Sequence, residues 1–202
     1  MQITHMIEAI QKSLEVEVDG KPGPETWGAI YSALVKKEIG GQPPEFAISK
    51  VDSRSEKNIA TLLPEVHPIA RALVQKAAAS GIEIKVISAL RTYAEQDALY
   101  AQGRTAPGNK VTNARGGYSN HNFGIAFDIG VFSGTKYLPD SPKYKAVGVL
   151  GIDLGLEWGG NWTSIVDQPH FQLRPSWAST MSERDMLTDL RNRASIGSPV
   201  YA

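Results

Sequence analysis

The sequence predicts an α+β fold, a small antiparallel sheet with packed helices, preceded by a small helical module. Three observations lead there. From residue 69 to residue 173 the hydrophobic pattern runs helix, strand, helix, loop, strand, helix, strand, an order that suits a small antiparallel sheet rather than regular βαβ repetition. A stretch rich in Gly, Pro and Ser follows Gly40-Gly41 and separates this region from a helical start. Apolar residues make up 42% of the 202 residues and charged ones 21%, a balance that favours a globular chain.

Each element has its own warrant. In residues 1–40, Met6, Ile7, Ile10 and Leu14 recur at helical spacing. Asp19-Gly20 supplies a turn, Pro24 suits an early helical position, and Trp27, Ile30, Tyr31 and Leu34 give a second apolar face. Residues 41–60 read as a linker, within a junction that runs on to Pro68. Ile69 to Ala79 is helical, with Ala70, Leu73, Val74 and Ala77 on one face, and Gly81 stops it. IEIKVIS reads as a strand. Thr92 stands three residues before Glu95, the spacing of a capping box, and opens a helix through Tyr100. The polar run GRTAPGNKVTNARGGYSNH is long enough to suggest function or disorder. Ile125, Phe127 and Ile129 alternate as a strand, Tyr144 to Leu150 suits a helix, and PHFQLR a last strand. Residues 61–180 thus form the main domain, and 181–202 a C-terminal helix with a frayed GSPVYA end.

Composition excludes several classes of function. Basic and acidic side chains balance at 21 each, which speaks against a nucleic-acid binder. With no cysteine there are no disulfides, thiolate metal sites or cysteine nucleophiles. The opening MQITHMIEAIQKSLEVEVDG is interrupted by charges and resembles neither a membrane span nor an ordinary signal peptide, so stable membrane insertion is not expected. Oligomeric state leaves no mark in the sequence.

Chemistry narrows to a few positions. The four histidines are His5, His67, His121 and His170. His121 sits in SNHNFGIAFD, Asp128 ends that segment, and His170 opens HFQL. Two imidazoles and a carboxylate would leave a tetrahedral zinc one open position. Residue spacing alone does not choose between that site and ordinary polar residues. Asp128 need not share a side with His121 unless a bulge or turn near Gly124 brings them together. His67 reads as a helix-entry residue and His5 as a surface one.

The segments SNHNFGIAFD and DQPH (167–170) together resemble the two zinc motifs of the D-Ala-D-Ala carboxypeptidase and dipeptidase superfamily, peptidase family M15. Most similar is its branch of L-alanyl-D-glutamate endopeptidases from phage endolysins and bacterial wall-remodelling enzymes. VHP at 66–68, SALRTYAEQDALYAQGRT at 88–105 and WGGNW at 158–162 support the likeness, which spans residues 61–173. VDGKPGPETWGAIYSAL is similar to the second half of a peptidoglycan-binding repeat.

The resemblance implies Zn2+ held by His121, Asp128 and His170, with Asp167 as the catalytic carboxylate and Arg91 beside the substrate carbonyl. Gln96 would orient Arg91 or substrate, or else face solvent. Ser119 is placed to support the site or its loop, and Trp158 and Trp162 to wall a cleft or pack. Tyr118, with Lys110 and Arg115, would meet an acidic stem peptide or belong to a solvated loop.

The activity so implied is hydrolysis of the L-Ala–D-Glu bond of peptidoglycan stem peptides. The alternatives are a D-Ala-D-Ala carboxypeptidase and a non-catalytic wall-binding protein. The enzyme would be made in the cytoplasm and act on the cell wall, in phage lysis with help from a separate permeabilising protein, or in host remodelling.

Overall fold

The computed structural model describes residues 3–20, 26, 49–163 and 165–201. The chain divides into two units, Met1–Ala47 and Ile48–Ala202. In the first, helix α1 (Ile3–Ser13) contains Met6, Ile7 and Ile10, and Leu14 follows in a turn. The buried Gln11 ties helix to turn: its amide donates to Asp19 Oδ1 at 2.7 Å and Thr26 Oγ1 at 2.9 Å, while its oxygen accepts from the Gly20 N–H at 2.9 Å. The expectations for Pro24, Trp27, Ile30, Tyr31, Leu34 and Gly40-Gly41 lie outside the described residues.

The second unit is a mixed α+β fold built on an antiparallel sheet. Its strands are β1 (Glu83–Ser88), β2 (Ala126–Ser133), β3 (Lys136–Tyr137), β4 (Glu157–Trp158) and β5 (His170–Gln172). The order across the sheet is β1-β2-β5-β4, with β3 pairing the far end of β2. Residues 53–59, which composition assigns to the linker, instead form helix α2 (Ser53–Ile59). Asp52 caps it by accepting from the Ser55 N–H, and Ile59 is fully buried in the main core.

Helix α3 (His67–Ala79) packs on β1 and turns Ala70, Leu73, Val74 and Ala77 inward. Helix α4 (Tyr93–Ala101) starts with the capping box that the Thr92–Glu95 spacing predicts. Helix α5 (Lys143–Asp153) carries Gly148 and Gly151, and a Cβ on either would run into Trp158 or Phe171, at 2.5 and 2.3 Å. Glycine there lets the helix sit directly on those rings.

The apolar face of the sheet presents Ile84, Val86, Phe127, Ile129, Val131 and Phe171 to α2, α3 and α5. A smaller core gathers Phe123, Ile125, Ala178, Met186, Leu187 and Leu190 around helix α6 (Glu183–Ile196). The C-terminus, expected to fray, is anchored: Tyr201 donates to the Leu173 carbonyl at 2.8 Å, and Trp177 to that of Val200 at 2.7 Å. The long loop 102–119 is pinned as well, since Gln96 donates to the Ala114 carbonyl and Arg104 to that of Thr112. Among the described residues no helix is long and apolar enough to cross a membrane.

Candidate metal centre

Two local devices bring the polar residues together. The first is a short 3-10 turn, Asn120–Phe123, closed by Gly124 at φ 68°. Only glycine takes that left-handed conformation without cost, and it folds His121 back over the start of β2. Asn122 pegs the turn: its oxygen accepts from the Gly117 and Ser119 N–H groups, and its amide donates to the Arg91 carbonyl at 2.9 Å.

The second device is sheet register. Asp128 pairs with His170 across β2 and β5, and with Ser88 across β1 and β2. Directly opposed residues point to the same face, so these three side chains are neighbours. Val86 faces the core, and simple alternation would send Ser88 there too. A register shift between the two turns Ser88 over to the Asp128 side.

The resulting geometry is compact. His121 Nε2 lies 3.2 Å from Asp128 Oδ1 and 3.3 Å from His170 Nδ1, and His170 Nδ1 lies 3.3 Å from Asp128 Oδ1. Metal–ligand bonds of about 2.0–2.1 Å at tetrahedral angles would put ligand atoms roughly 3.3 Å apart, so the triangle has the right size for zinc.

The far side of each ring explains its orientation. His121 Nδ1 lies 2.7 Å from the Ala89 carbonyl, which only accepts, so Nδ1 carries the proton and Nε2 is bare in the neutral ring. His170 Nε2 likewise donates to Gln172 Oε1 at 2.9 Å and leaves Nδ1 bare. Two nitrogen lone pairs and a carboxylate oxygen therefore converge on one point, and the cluster is capable of coordinating a metal ion.

Charge reinforces the cluster. Burial would raise the Asp128 carboxyl, but the His121 and His170 imidazoles hold it well below the usual carboxylate range. Burial would lower His170, but its hydrogen bond to Asp128 and that carboxylate's charge lift it above its ordinary value. Arg91 closes the outer side, with Nη2 at 2.6 Å from Asp128 Oδ2. The Arg91 guanidinium also donates to Ser88 Oγ and, at 3.1 Å, to Gln96 Oε1. Gln96 is fully buried and faces Arg91 rather than solvent.

Asp167 lies just before β5 on a loop clipped to Gly159, whose carbonyl accepts its N–H at 3.0 Å. Burial raises its carboxyl, and the negative charge of Asp128 raises it further, while His170, His121 and Arg91 pull the other way. Asp167 and His170 meet at Gly159, where an added Cβ would lie 3.2 Å from the Asp167 Cβ and 3.0 Å from the His170 Cβ.

The other candidates separate clearly. Trp162 stacks obliquely on His170 with ring centroids 4.8 Å apart. Trp158 is buried in the main core and donates to the Gln168 carbonyl, so it steadies the Asp167 loop and walls no cleft. Ser119 precedes the His121 turn and contributes its backbone. Tyr118 is exposed beneath the Arg191 guanidinium, in a cleft with Glu183, Arg184, Leu187 and Thr188. His67 Nε2 donates to the Leu62 carbonyl at 2.9 Å and stands outside the cluster. Residue-level reading did not single out Asn120, Asn122, Glu157 or Gln172. Their signal was slight: amides on either side of His121, and a glutamine two residues after His170, on the same strand face.

The sequence profile of a family described as D-alanyl-D-alanine carboxypeptidase matches residues 112–173. Among relatives, the peptidoglycan L-alanyl-D-glutamate endopeptidase CwlK of Bacillus subtilis is 36% identical over 126 residues, 55% of this chain and 75% of that one. The L-alanyl-D-glutamate peptidase of Listeria phage A118 is 30% identical over 123 residues, 59% of this chain but 41% of that protein. The crystal structure of Serratia marcescens L-Ala D-Glu endopeptidase ChiX aligns with a TM-score of 0.48 at 21% identity, covering 65% of this chain and 95% of that one. Identity of this level over three quarters of the Bacillus protein, with the profile match running through both histidines and the aspartate, shows descent as well as likeness: the chain belongs to the M15 peptidase family, and it is an enzyme with a metallopeptidase-type site.

Proposed function

We propose that this protein is a zinc-dependent peptidoglycan endopeptidase that hydrolyses the L-Ala–D-Glu bond of cell-wall stem peptides. The observation that carries the metal assignment is the convergence of His121 Nε2, His170 Nδ1 and Asp128 Oδ1 at separations of 3.2–3.3 Å. The bond assignment draws on the named activities of the Bacillus and Listeria phage relatives. Zinc, when bound, supplies Lewis acidity, polarising the scissile carbonyl and acidifying water.

The chain's own groups do the rest. His121, Asp128 and His170 hold the ion. Asp167 accepts the water proton and returns it to the departing amine, a task its raised carboxyl suits better than that of an isolated aspartate. Arg91 steadies Asp128 and sets a positive charge beside the site, where an anionic substrate or developing oxyanion would meet it. Trp162 offers an aromatic wall. In this reading residues 1–40 hold the enzyme on polymeric wall and raise its effective concentration there. The wall is the place of action, in lysis or in remodelling.

Digestion of purified wall sacs, followed by mass identification of the new peptide ends, tests the reading. New D-Glu amino termini and L-Ala carboxyl termini are expected. Release of terminal D-Ala alone would favour the carboxypeptidase alternative named by the matching family profile. Sac binding without new ends would leave a wall binder. A chain starting at residue 49 should cleave a soluble stem peptide as well as the full chain yet release less from sacs. Equal release from sacs would remove the N-terminal module from the proposal.

A further inference from the structure

Behind His170, on the side away from the other two ligands, the sheet carries a closed ring of polar side chains. Register builds it: Gln172 lies two residues after His170 on the same face, and Glu157 stands directly opposite Gln172 across β4 and β5. Gln172 is fully buried. Its Oε1 accepts from His170 Nε2 at 2.9 Å and from Asn120 Nδ2 at 2.5 Å, and its Nε2 donates to Glu157 Oε2 at 2.6 Å. The other Glu157 oxygen accepts from Arg174 Nε. Arg174 Nη2 donates to Glu183 Oε2 at 2.7 Å, and Glu183 Oε1 accepts from Asn120 Nδ2, which closes the ring.

The donors and acceptors leave the Gln172 amide one orientation. Glu157 only accepts, so it must face the Gln172 NH2. Asn120 can serve both Gln172 and the Glu183 carboxylate only through its own NH2, so it must face the Gln172 oxygen. That oxygen in turn requires a proton on His170 Nε2. Asn120 Oδ1 is buried without a hydrogen-bond partner among the described residues. A buried acceptor left unpaired is unfavourable, which points to an arrangement that serves orientation more than stability.

We propose that Gln172 is a positioning residue of the metal centre, held by Glu157 on one side and Asn120 on the other, and that it selects the His170 tautomer with a bare Nδ1. The link to a metal rests on the function proposed above; the hold on the ring does not. An amide oxygen orients the imidazole without adding charge, so the ligand set keeps a single anion, Asp128. Through Glu183 the ring also reaches α6, which makes the C-terminal helix part of the site's support.

The test uses the full chain with 15N-labelled histidine. In the metal-free parent at about pH 9, above the ordinary imidazole range, His170 should appear as the Nε2–H tautomer. Gln172→Leu should give a mixture of tautomers, and its zinc affinity, measured against a competing chelator, should fall about 10–100-fold. Glu157→Leu, which alters no ligand and frees the Gln172 amide to turn, should shift both readouts in the same direction. Glu157→Gln keeps an acceptor for Gln172 and should restore both, which also decides the matter if Gln172→Leu does not fold. An unchanged tautomer and unchanged zinc affinity in folded Gln172→Leu, or in Glu157→Leu, would overturn the inference. A parent that shows the expected tautomer, loses it in the variants and yet binds no zinc would sink the proposed function while leaving Gln172's control of His170 standing.

Discussion

The two faces of one sheet do different work with alternate residues of the same strands. On one face Phe127, Ile129 and Phe171 are fully buried against α3 and α5, and Phe127 and Phe171 stack with centroids 5.9 Å apart. On the other, Asp128 stands between Phe127 and Ile129, His170 stands next to Phe171, and neither belongs to an apolar core. Strand alternation forces this division, so Asp128 and His170 are each held by an apolar strand neighbour anchored behind the sheet. The lesson is that precision at the cluster is inherited from packing on the opposite side. A one-residue slip of β5 would turn His170 into the apolar core and Phe171 onto the polar face, and both halves would fail together.

Substitutions should split along that line. The largest effect is expected for Asp128→Ala, which removes a proposed zinc ligand and strands the Arg91 guanidinium. Stem-peptide cleavage should drop by more than the roughly 10²–10⁴-fold attributable to acid–base groups, with bound zinc lost, while the fold persists by circular dichroism. On the apolar face, Phe171→Ala should cost about 3–5 kcal/mol of unfolding free energy in denaturant titration, and molecules that remain folded should still take up zinc. Zinc loss without destabilisation in that variant would break the division of labour.

Asp167→Asn sharpens it from the polar side. Turnover should fall at least about 10²-fold, with zinc content and thermal midpoint nearly unchanged, and near-parent turnover would show that the proton is carried elsewhere. The smallest effect belongs to the helices behind the apolar face, where Arg71 of α3 grips both oxygens of Glu56 on α2 at 2.9 and 2.8 Å. The hydrogen bond from Arg71 is the main cause that lowers the Glu56 carboxyl from 4.5 to about 2. A depressed carboxyl stabilises the fold above its ordinary value, and that contribution is lost as pH falls from 4.5 toward 2. Solvent reaches both side chains, so Glu56→Gln should cost only about 1 kcal/mol at pH 7, and the difference from the parent should vanish near pH 2. A constant difference across that range would mean that packing, not charge, sets it.

The long periodic elements were legible from the residue pattern itself, and the residues of the cluster only through the family resemblance of their motifs. Alternation around Ile125, Phe127 and Ile129 marks β2, and the SNHNFGIAFD and DQPH motifs mark its polar neighbours. What escaped has a physical reason in each case. β3 and β4 are two residues long, too short for any period, and the pairing of Glu157 with Gln172 went unseen with β4. Helix α2 reads SRSEKNI and buries only Ser55 and Ile59, so its polar composition passed for linker. The turn of Ser88 toward Asp128 depends on a register shift between strands far apart in sequence, which no local pattern encodes. Trp158 and Trp162 look alike as an aromatic pair around Gly159-Gly160-Asn161. Only the fold shows that one is core and the other lies against His170.

X-ray absorption of the zinc-loaded chain tests the central claim most directly. One zinc per chain is expected, with N and O ligands at about 2.0–2.2 Å and the outer-shell scattering of two imidazoles. His170→Ala should lose the ion or drop to one imidazole, while Asp167→Asn should give the parent spectrum. Two-imidazole coordination that survives in His170→Ala, or a spectrum altered in Asp167→Asn, would contradict the assignment of His121, Asp128 and His170 as the metal's ligands and of Asp167 as the group beside it.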